Sequence, residues 1–303
     1  MNLQDAVEQY LLDCKVKNIT ATTIDGYAYW LKRFTDHVGN MPITELSSLA
    51  VRSFIAHLME EGNLRTGEPL SSYTVHKAYC VVGSFSNWLV SQDLVNESPT
   101  RKTTPPRVDQ DLPDALTHEE LLRIFDYLET RDFRDKVIFE FFLDTGCRLQ
   151  EVADLKLDDI HLNEGWAKVF GKGRREAIVP MGNQLCRDLH VYISRHRKAP
   201  ETERALFVST VAPYQAMTRH GIASMIKRVH KACGIEGKYG PHKLRHTMAT
   251  QFITNGGDIA ILRRILRHTN ISITQRYVNL VQSDIQHSHR EHSPLDRLRT
   301  NRR

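Results

Sequence analysis

Two histidines, an arginine and a tyrosine lie close together in the sequence, within the segment from Gly240 to Leu280. These residues are His242, Arg245, His268 and Tyr277. A guanidinium forms bidentate hydrogen bonds to phosphate oxygens, and an imidazole donates a hydrogen bond or exchanges a proton near neutral pH. A tyrosine hydroxyl beside such groups is a candidate nucleophile. The four side chains together fit chemistry at a phosphate better than any other class of reaction.

The residues between these side chains predict short helices that would hold them in place. Asp258 follows two glycines and is a candidate N-cap for a helix with one buried apolar face. The apolar positions of that helix are Ile259, Ile261, Leu262, Ile265 and Leu266. Ser272 and Gln275 then match the S-x-x-Q capping box, which places Tyr277 just inside a further helix.

Each of these residues taken alone has an ordinary structural interpretation. His242, Arg245 and His246 could cap and salt-bridge a helix start, and Tyr277 could be a half-buried aromatic residue. Taken together, H-K-L-R-H followed by R-H and then the tyrosine closely resemble the second signature box of the tyrosine recombinase (phage integrase) family. This chain has Arg267 where the family often has glycine, and arginine accepts a positive φ at a helix end less readily.

An upstream segment resembles the first box of the same family. The pattern predicts that an apolar helix ends near Gly146 and that the next helix has Arg148 in its first turn. Glu151 lies three residues further on the same helical face, where it could orient Arg148 or a histidine, or could form a simple surface ion pair. The sequence T-G-C-R-L-Q-E-V is similar to the family's first box, with Arg148 at its arginine position and Glu151 at its acidic position.

A β-hairpin is predicted after this box. Residues 166–170 and 175–179 have the pattern of two strands joined by a G-K-G-R turn, with Lys172 at the tip. A lysine on a turn is usually a solvated charge, and G-K-G lacks the spacing of a nucleotide-binding phosphate loop. The resemblance implies instead that Lys172 enters the DNA minor groove beside the scissile phosphate. The basic run at 195–198 is interpreted as a solvated helix face.

The resemblance extends over nearly the whole chain. Residues 1–100 show four amphipathic helical patterns, which a generic bundle would share but which resemble the family's SAM-like core-binding domain. Residues 101–114, within a proline-rich polar stretch, are interpreted as a linker. Residues 115–303 resemble the catalytic domain, which opens with a capping box at Thr117 and Glu120 and ends in a tail at 283–303. The implied fold is mainly α with a small antiparallel β-sheet, in two domains that close as a C-shaped clamp around duplex DNA.

The composition sets limits on function. Among 303 residues there are 41 Lys plus Arg and 36 Asp plus Glu, and the formal net charge of +5 permits nucleic-acid binding without demonstrating it. The five cysteines are scattered, which argues against disulfides and a zinc site and fits a reducing cytoplasm. His287, His289 and His292 lack a second cluster or an acidic shell, so no metal is expected. No apolar run is long enough to span a bilayer.

Site-specific exchange of DNA strands is the activity that the resemblance implies. Tyr277 would attack the scissile phosphate and form a 3′-phosphotyrosyl enzyme. Arg148, Arg245 and His268 would stabilise the charge that develops on the phosphorane. His242 would assist proton transfer at the nucleophile, and Lys172 would protonate the departing 5′ oxygen. The resemblance further implies a Holliday junction, a homotetramer on two DNA sites linked by exchange of the tail 283–303, and no cofactor.

Two other functions remain open from the sequence. A type IB-like topoisomerase uses similar residues as a monomer to relax supercoils, and it would act on a plasmid without a special site. A non-catalytic helical DNA-binding regulator would not need Tyr277 and would form no covalent adduct. The order and spacing of all six residues favour the recombinase over both.

Overall fold

The computed structural model of the chain describes residues 1–61, 67–108, 114–171, 176–237 and 240–267. By Cα proximity the chain divides into two units, Met1–Gln110 and Asp111–Arg303. The described residues of both units are mainly α-helical, with one small antiparallel sheet in the second unit. This confirms the prediction of a mainly α fold with a small antiparallel β-sheet. Among the described residues, no helix is long and apolar enough to cross a lipid bilayer.

The described part of the first unit contains the four predicted helices. They are α1 (Leu3–Val16), α2 (Ala21–Val38), α3 (Ser48–Glu60) and α4 (Ser72–Ser91). Short polar side chains fix three of the helix starts, because Asn2, Ser47 and Ser71 each accept a hydrogen bond from a backbone N–H of the first turn. Tyr10 of α1 packs against Phe85 of α4, with ring centroids 5.6 Å apart, inside an apolar core that all four helices share.

The second unit begins with three helices, of which the apolar α6 is the central one in the sequence, followed by three strands. Its elements up to the sheet are α5 (His118–Glu129), α6 (Phe133–Thr145), α7 (Leu149–Ala153), β1 (Ile160–His161), β2 (Trp166–Phe170) and β3 (Glu176–Pro180). Thr117 and Glu120 form the predicted capping box at the start of α5. Five residues of α6 between Val137 and Phe142 have no solvent exposure, so this helix is the centre of the core.

The three strands pair in the order β1-β2-β3, and both pairings are antiparallel. Phe170 pairs with Glu176 next to the turn of the hairpin, and Trp166 pairs with Pro180 at the other end. Ala167 and Val169 are buried while their neighbours along β2 are only partly buried, as expected for a strand with one face on the core. The predicted hairpin is therefore present, and its turn, residues 172–175, lies outside the described residues.

The remaining elements complete the described part of the second unit. They are α8 (Asn183–Val191), a π-helical turn (Tyr192–His196), α9 (Arg219–Ala232), α10 (Pro241–Thr254) and α11 (Ile259–Leu266). Helix α10 packs against α6, and its other side forms a small separate apolar cluster with α11. Leu262 and Leu266 of α11 are fully buried in that cluster, whereas Ile261 is 52% exposed. The prediction that Ile261 belongs to the buried face was wrong, because its side chain lies on the solvent side of this short helix.

Candidate active site

Arg148 lies at the sharp connection between α6 and α7. Gly146 ends α6 in the left-handed conformation, with φ +60°, as the sequence predicts. A Cβ atom at Gly146 would lie 2.7 Å from Cδ2 of Leu266, so the connection requires glycine for its packing as well as for its backbone conformation. Arg148 is the N-cap of α7 and has an extended backbone, instead of lying in the first turn as predicted. This places its side chain at the N-terminal end of α7 and leaves it 41% exposed.

Glu151 is buried beneath Arg148 and receives hydrogen bonds from two arginines. Its Oε2 accepts the backbone N–H of Arg148 at 2.7 Å, and its Oε1 accepts Nη1 of Arg148 at 3.0 Å. The same Oε2 accepts Nη2 of Arg267 at 2.6 Å. Because Glu151 is only 3% exposed, the interpretation as a surface ion pair is wrong. The carboxylate orients Arg148, which was the other interpretation of the sequence.

Arg245 connects two chain segments from its position on α10. Its side chain is buried; Nη1 donates a hydrogen bond to the carbonyl of Gly146, and Nη2 donates to the carbonyl of Leu266 at 2.6 Å. Burial, and after it the positive charge of Arg148, together lower the pKa of Arg245 to about 10. The guanidinium is still charged at neutral pH. It therefore adds a fixed positive charge beside Arg148.

His242 lies in the first turn of the same helix, next to Pro241. Partial desolvation lowers the pKa of the imidazole from its ordinary value, and the charges of Arg245 and Arg148 lower it further. Both arginines are thus close enough to act on one histidine, which brings three of the predicted site residues together. At neutral pH the ring is uncharged and is able to accept a proton.

The opposite side of α10 is attached to the first residues of the second unit. Nζ of Lys243 forms an ion pair with Oδ1 of Asp114 at 2.8 Å and donates to the carbonyl of Glu236 at 3.3 Å. The backbone N–H of Leu116 donates to Oγ1 of Thr247 at 2.8 Å. These contacts fix the helix that carries His242 and Arg245, and none of them is signalled by local sequence.

A cleft of about 930 Å³ opens beside Arg148 in the second unit. Its lining includes Arg148 and Glu151 from α7, and Phe170 with Gly171 from the end of β2. Lys156 and Arg204 also line its wall, together with the acidic residues Asp154 and Glu203. Gly171 directly precedes the predicted lysine, Lys172, in the sequence.

Several predicted site residues lie outside the described residues. They are Lys172, His268 and Tyr277, together with the capping pair Ser272 and Gln275, the tail 283–303 and its three histidines. The described chain ends one residue before His268, at Arg267. Asp258 caps α11 as predicted, since its Oδ1 accepts the N–H groups of Ala260 and Ile261. Arg267 closes the same helix with φ +54°, so arginine does adopt the positive φ that glycine would favour.

Comparison with known proteins identifies the class to which this fold and site belong. The profile of the phage integrase family matches residues 114–283, and that of the phage integrase N-terminal SAM-like domain matches residues 7–96. The chain is 28% identical over 298 residues to tyrosine recombinase XerD of Staphylococcus epidermidis strain RP62A, covering 95% of this chain and 98% of that protein.

Solved structures agree in fold. The Tn1549 transposon integrase in complex with a circular intermediate DNA aligns with a TM-score of 0.73 at 17% identity, over 91% of this chain and 94% of that one. A lambda integrase tetramer bound to a Holliday junction aligns with a TM-score of 0.71 at 14% identity, over 89% of this chain and 78% of that one.

The described fold is mainly helical, and it brings two arginines and a histidine close to one another. The chain belongs to the phage integrase family. It is a tyrosine recombinase, an enzyme that breaks and rejoins DNA strands in site-specific recombination, and DNA is its partner. The comparisons favour neither a type IB-like topoisomerase nor a non-catalytic DNA-binding regulator.

Proposed function

We propose that Tyr277 is the nucleophile of this recombinase and that Arg148, Arg245 and His268 bind the phosphate it attacks. The observation that carries the proposal is the convergence of Arg148, Arg245 and His242, which α7 and α10 bring within electrostatic reach of one another. Attack by the phenolic oxygen breaks the bond to the 5′ oxygen and forms a 3′-phosphotyrosyl bond. The energy of the broken bond is conserved, so no ATP is needed.

The two arginines supply charge where it develops in the transition state. Arg148 is half exposed at the cleft and held by Glu151, and Arg245 is fixed by two backbone carbonyls. Donors held in place before the reaction do not have to reorganise during it, and removing one costs ~3 to 4 kcal/mol of transition-state stabilisation. His268, the residue after Arg267, would add a further donor from the end of α11.

Proton transfers are assigned to His242 and Lys172. His242 is uncharged at neutral pH because its pKa is lowered, which suits it to receive the proton of the attacking tyrosine. Lys172 follows the cleft residue Gly171 and would protonate the departing 5′ oxygen. His242 would thus be the base for the attacking oxygen and Lys172 the acid for the departing oxygen. Rejoining of the strands would use the same two groups in the reverse sense.

Complete recombination requires two DNA sites and four active sites. We infer a homotetramer that exchanges strands in pairs through a Holliday junction, with the tail 283–303 passing between protomers. Support comes from the fold, which resembles a lambda integrase tetramer bound to such a junction. The protein would act in the cytoplasm on the DNA there, and the residues assigned above supply the charge without a cofactor.

The experiment that tests this function starts from the DNA site in the native cell. DNA trapped covalently on the protein is sequenced, and two copies of the recovered site are placed on a plasmid. The purified protein should delete or invert the intervening segment in the presence of EDTA and without ATP. Relaxation of a plasmid that lacks the site, with no recombination between the two copies, would instead establish a topoisomerase.

A further inference from the structure

Arg267 occupies a backbone position that disfavours it. It follows Leu266 at the C-terminal end of α11, and its N–H donates to the carbonyls of Arg263 and Arg264. Its φ of +54° is in the left-handed region, which costs a residue with a Cβ atom about 1 kcal/mol and costs glycine little. A side chain retained at such a position needs a compensating interaction.

That interaction is a buried ion pair with Glu151. The side chain of Arg267 is 16% exposed, that of Glu151 is 2% exposed, and Nη2 lies 2.6 Å from Oε2. Nη2 is also 4.0 Å from Sγ of Cys147, a buried thiol next to Arg148. A carboxylate buried this deeply is costly unless cations and donors satisfy it. The contact therefore links the residue before His268 to the start of the helix that presents Arg148.

The ion pair between Arg267 and Glu151 affects the positive charge that Arg148 presents to the cleft. Glu151 carries one negative charge and lies between two guanidiniums, Arg148 and Arg267. With both arginines present the group has a net charge of +1, and the exposed member, Arg148, faces the cleft. Without Arg267, the buried carboxylate would have Arg148 as its pairing cation and would offset the positive charge of Arg148.

We propose that Arg267 is a positioning residue for the strand-cleavage reaction. It satisfies Glu151, so that Arg148 keeps its positive charge for the phosphate, and it fixes the end of α11 from which the chain continues into His268. The inference deepens the proposed function, because it rests on Arg148 as a phosphate-binding group. It assigns Arg267 no contact with DNA.

The test measures the single-turnover rate of covalent adduct formation on a nicked copy of the DNA site, at saturating protein. Arg267→Gln removes the charge while keeping a Cβ atom at the same φ, and it should slow cleavage roughly 10-fold or more by weakening one charged donor. Arg267→Gly should be equally slow although it relieves the backbone strain. Arg267→Lys should retain more activity than either. Arg264→Gln, an exposed charge removal on the same helix, is the matched control and should cleave at the wild-type rate.

A second substitution separates electrostatics from folding. In Arg267→Gln the carboxylate of Glu151 offsets the charge of Arg148. Adding Glu151→Gln removes this carboxylate charge, so the double variant should cleave faster than Arg267→Gln alone. A purely structural role predicts that the second substitution slows cleavage further. Replacing one non-bridging oxygen of the scissile phosphate by methyl removes the negative charge that Arg148 binds. This replacement should reduce the difference in cleavage rate between wild type and Arg267→Gln.

The possible outcomes distinguish this inference from the proposed function. Wild-type cleavage by Arg267→Gln, or a double variant slower than the single one, would overturn the role of Arg267. A thermal unfolding curve of each variant shows whether it is folded at the assay temperature, and so identifies losses of activity caused by unfolding. For the variants that are folded, the ratio of the wild-type to the Arg267→Gln cleavage rate on the methyl-substituted substrate then decides whether the role is electrostatic. Absence of an adduct with wild-type protein, or full activity of Arg148→Ala, would overturn the proposed function itself.

Discussion

Nη1 of Arg245 donates a hydrogen bond to the carbonyl of Gly146, 99 positions away in the sequence. The acceptor is the residue that ends α6, two positions before Arg148. One hydrogen bond therefore joins the segment that carries Arg148 to the helix that carries Arg245. Leu266 packs onto Gly146, and its carbonyl accepts the second donor of the same guanidinium. The backbone at Gly146 and Leu266 therefore sets where Arg245 points.

Gly146→Ala should reduce both stability and cleavage. The added Cβ atom would lie 2.7 Å from Leu266 Cδ2 and 3.1 Å from Met248 Sδ, in a residue that also has positive φ. We expect the free energy of unfolding to fall by ~2 to 4 kcal/mol, and the cleavage rate of the folded protein to fall because the acceptor of Arg245 shifts. Denaturant titration and single-turnover cleavage measure the two effects.

Gly256→Ala is the matched control, since Gly256 has φ +85° and nothing within 4 Å of the added atom. It should cost only the backbone term, about 1 kcal/mol, and leave cleavage unchanged. Equal effects of the two substitutions would show that packing against Leu266 is unimportant.

Lys172→Ala should be rescued by a better leaving group. On ordinary DNA the variant should cleave very slowly, whereas a substrate with sulfur at the 5′-bridging position should restore most of the rate, because a thiolate leaves without general-acid help. Arg245→Ala should stay slow on both substrates, since the phosphorane charge still lacks its donor. Rescue of both variants to the same extent would refute the separate roles of the lysine and the arginine.

The stability of the catalytic unit should fall in mild acid because of His230. This residue is fully buried on α9, and burial followed by the charge of Lys243 lowers its pKa to about 4. In the unfolded chain a histidine has a pKa near 6.5, so as pH falls the unfolded state takes up the proton first. Stability that is fully present above about pH 6.5 is thus lost between that pH and about 4, by about 2 kcal/mol between pH 7 and pH 5.

Denaturant titrations of wild type and His230→Gln at the two pH values check this. The variant should lose about 2 kcal/mol less than the wild type on acidification, because a glutamine does not titrate. Identical losses in the two proteins would mean that other groups cause the pH dependence. Glu120 and Asp114, which act on His230 in the opposite direction, are unchanged in the variant.

Truncation after Gln282 should separate DNA binding from assembly. If the tail 283–303 docks on a neighbouring protomer, the truncated protein should bind a half-site with near wild-type affinity but lose cooperative binding to the full site and all strand exchange. Gel-shift titrations at one fixed salt concentration measure both, because salt alone changes such affinities strongly. Unchanged cooperativity would rule out the docking role.

Much of the fold could be predicted because its boundaries are encoded locally. Gly146 ends α6, Asp258 starts α11, and Thr117 with Glu120 opens α5, each through a conformation or hydrogen bond that involves neighbouring residues only. A periodic apolar pattern similarly identifies α6 as a core helix. These signals do not depend on how the elements later pack.

The contacts that position the site could not be predicted in the same way. Glu151 and Arg267 are 116 positions apart, and only the folded chain brings them together. The sequence signal was an arginine where a helix end favours glycine, which indicates an unusual residue but not its partner. Arg197 is a similar case: it was interpreted as a solvated charge, yet its guanidinium donates to the carbonyls of Glu203 and Ala205.

The assignment of Tyr277 as the nucleophile is tested most directly by locating the covalent bond to DNA. Wild-type protein is reacted with a nicked copy of its site, denatured in SDS and digested with trypsin, which should release the attached DNA on the peptide that begins at Tyr277 and contains no other tyrosine. Tyr277→Phe should bind the site with unchanged affinity and form no adduct, because only the phenolic oxygen is lost. An SDS-stable adduct with Tyr277→Phe, or DNA attached to a different residue in the wild type, would contradict the assignment.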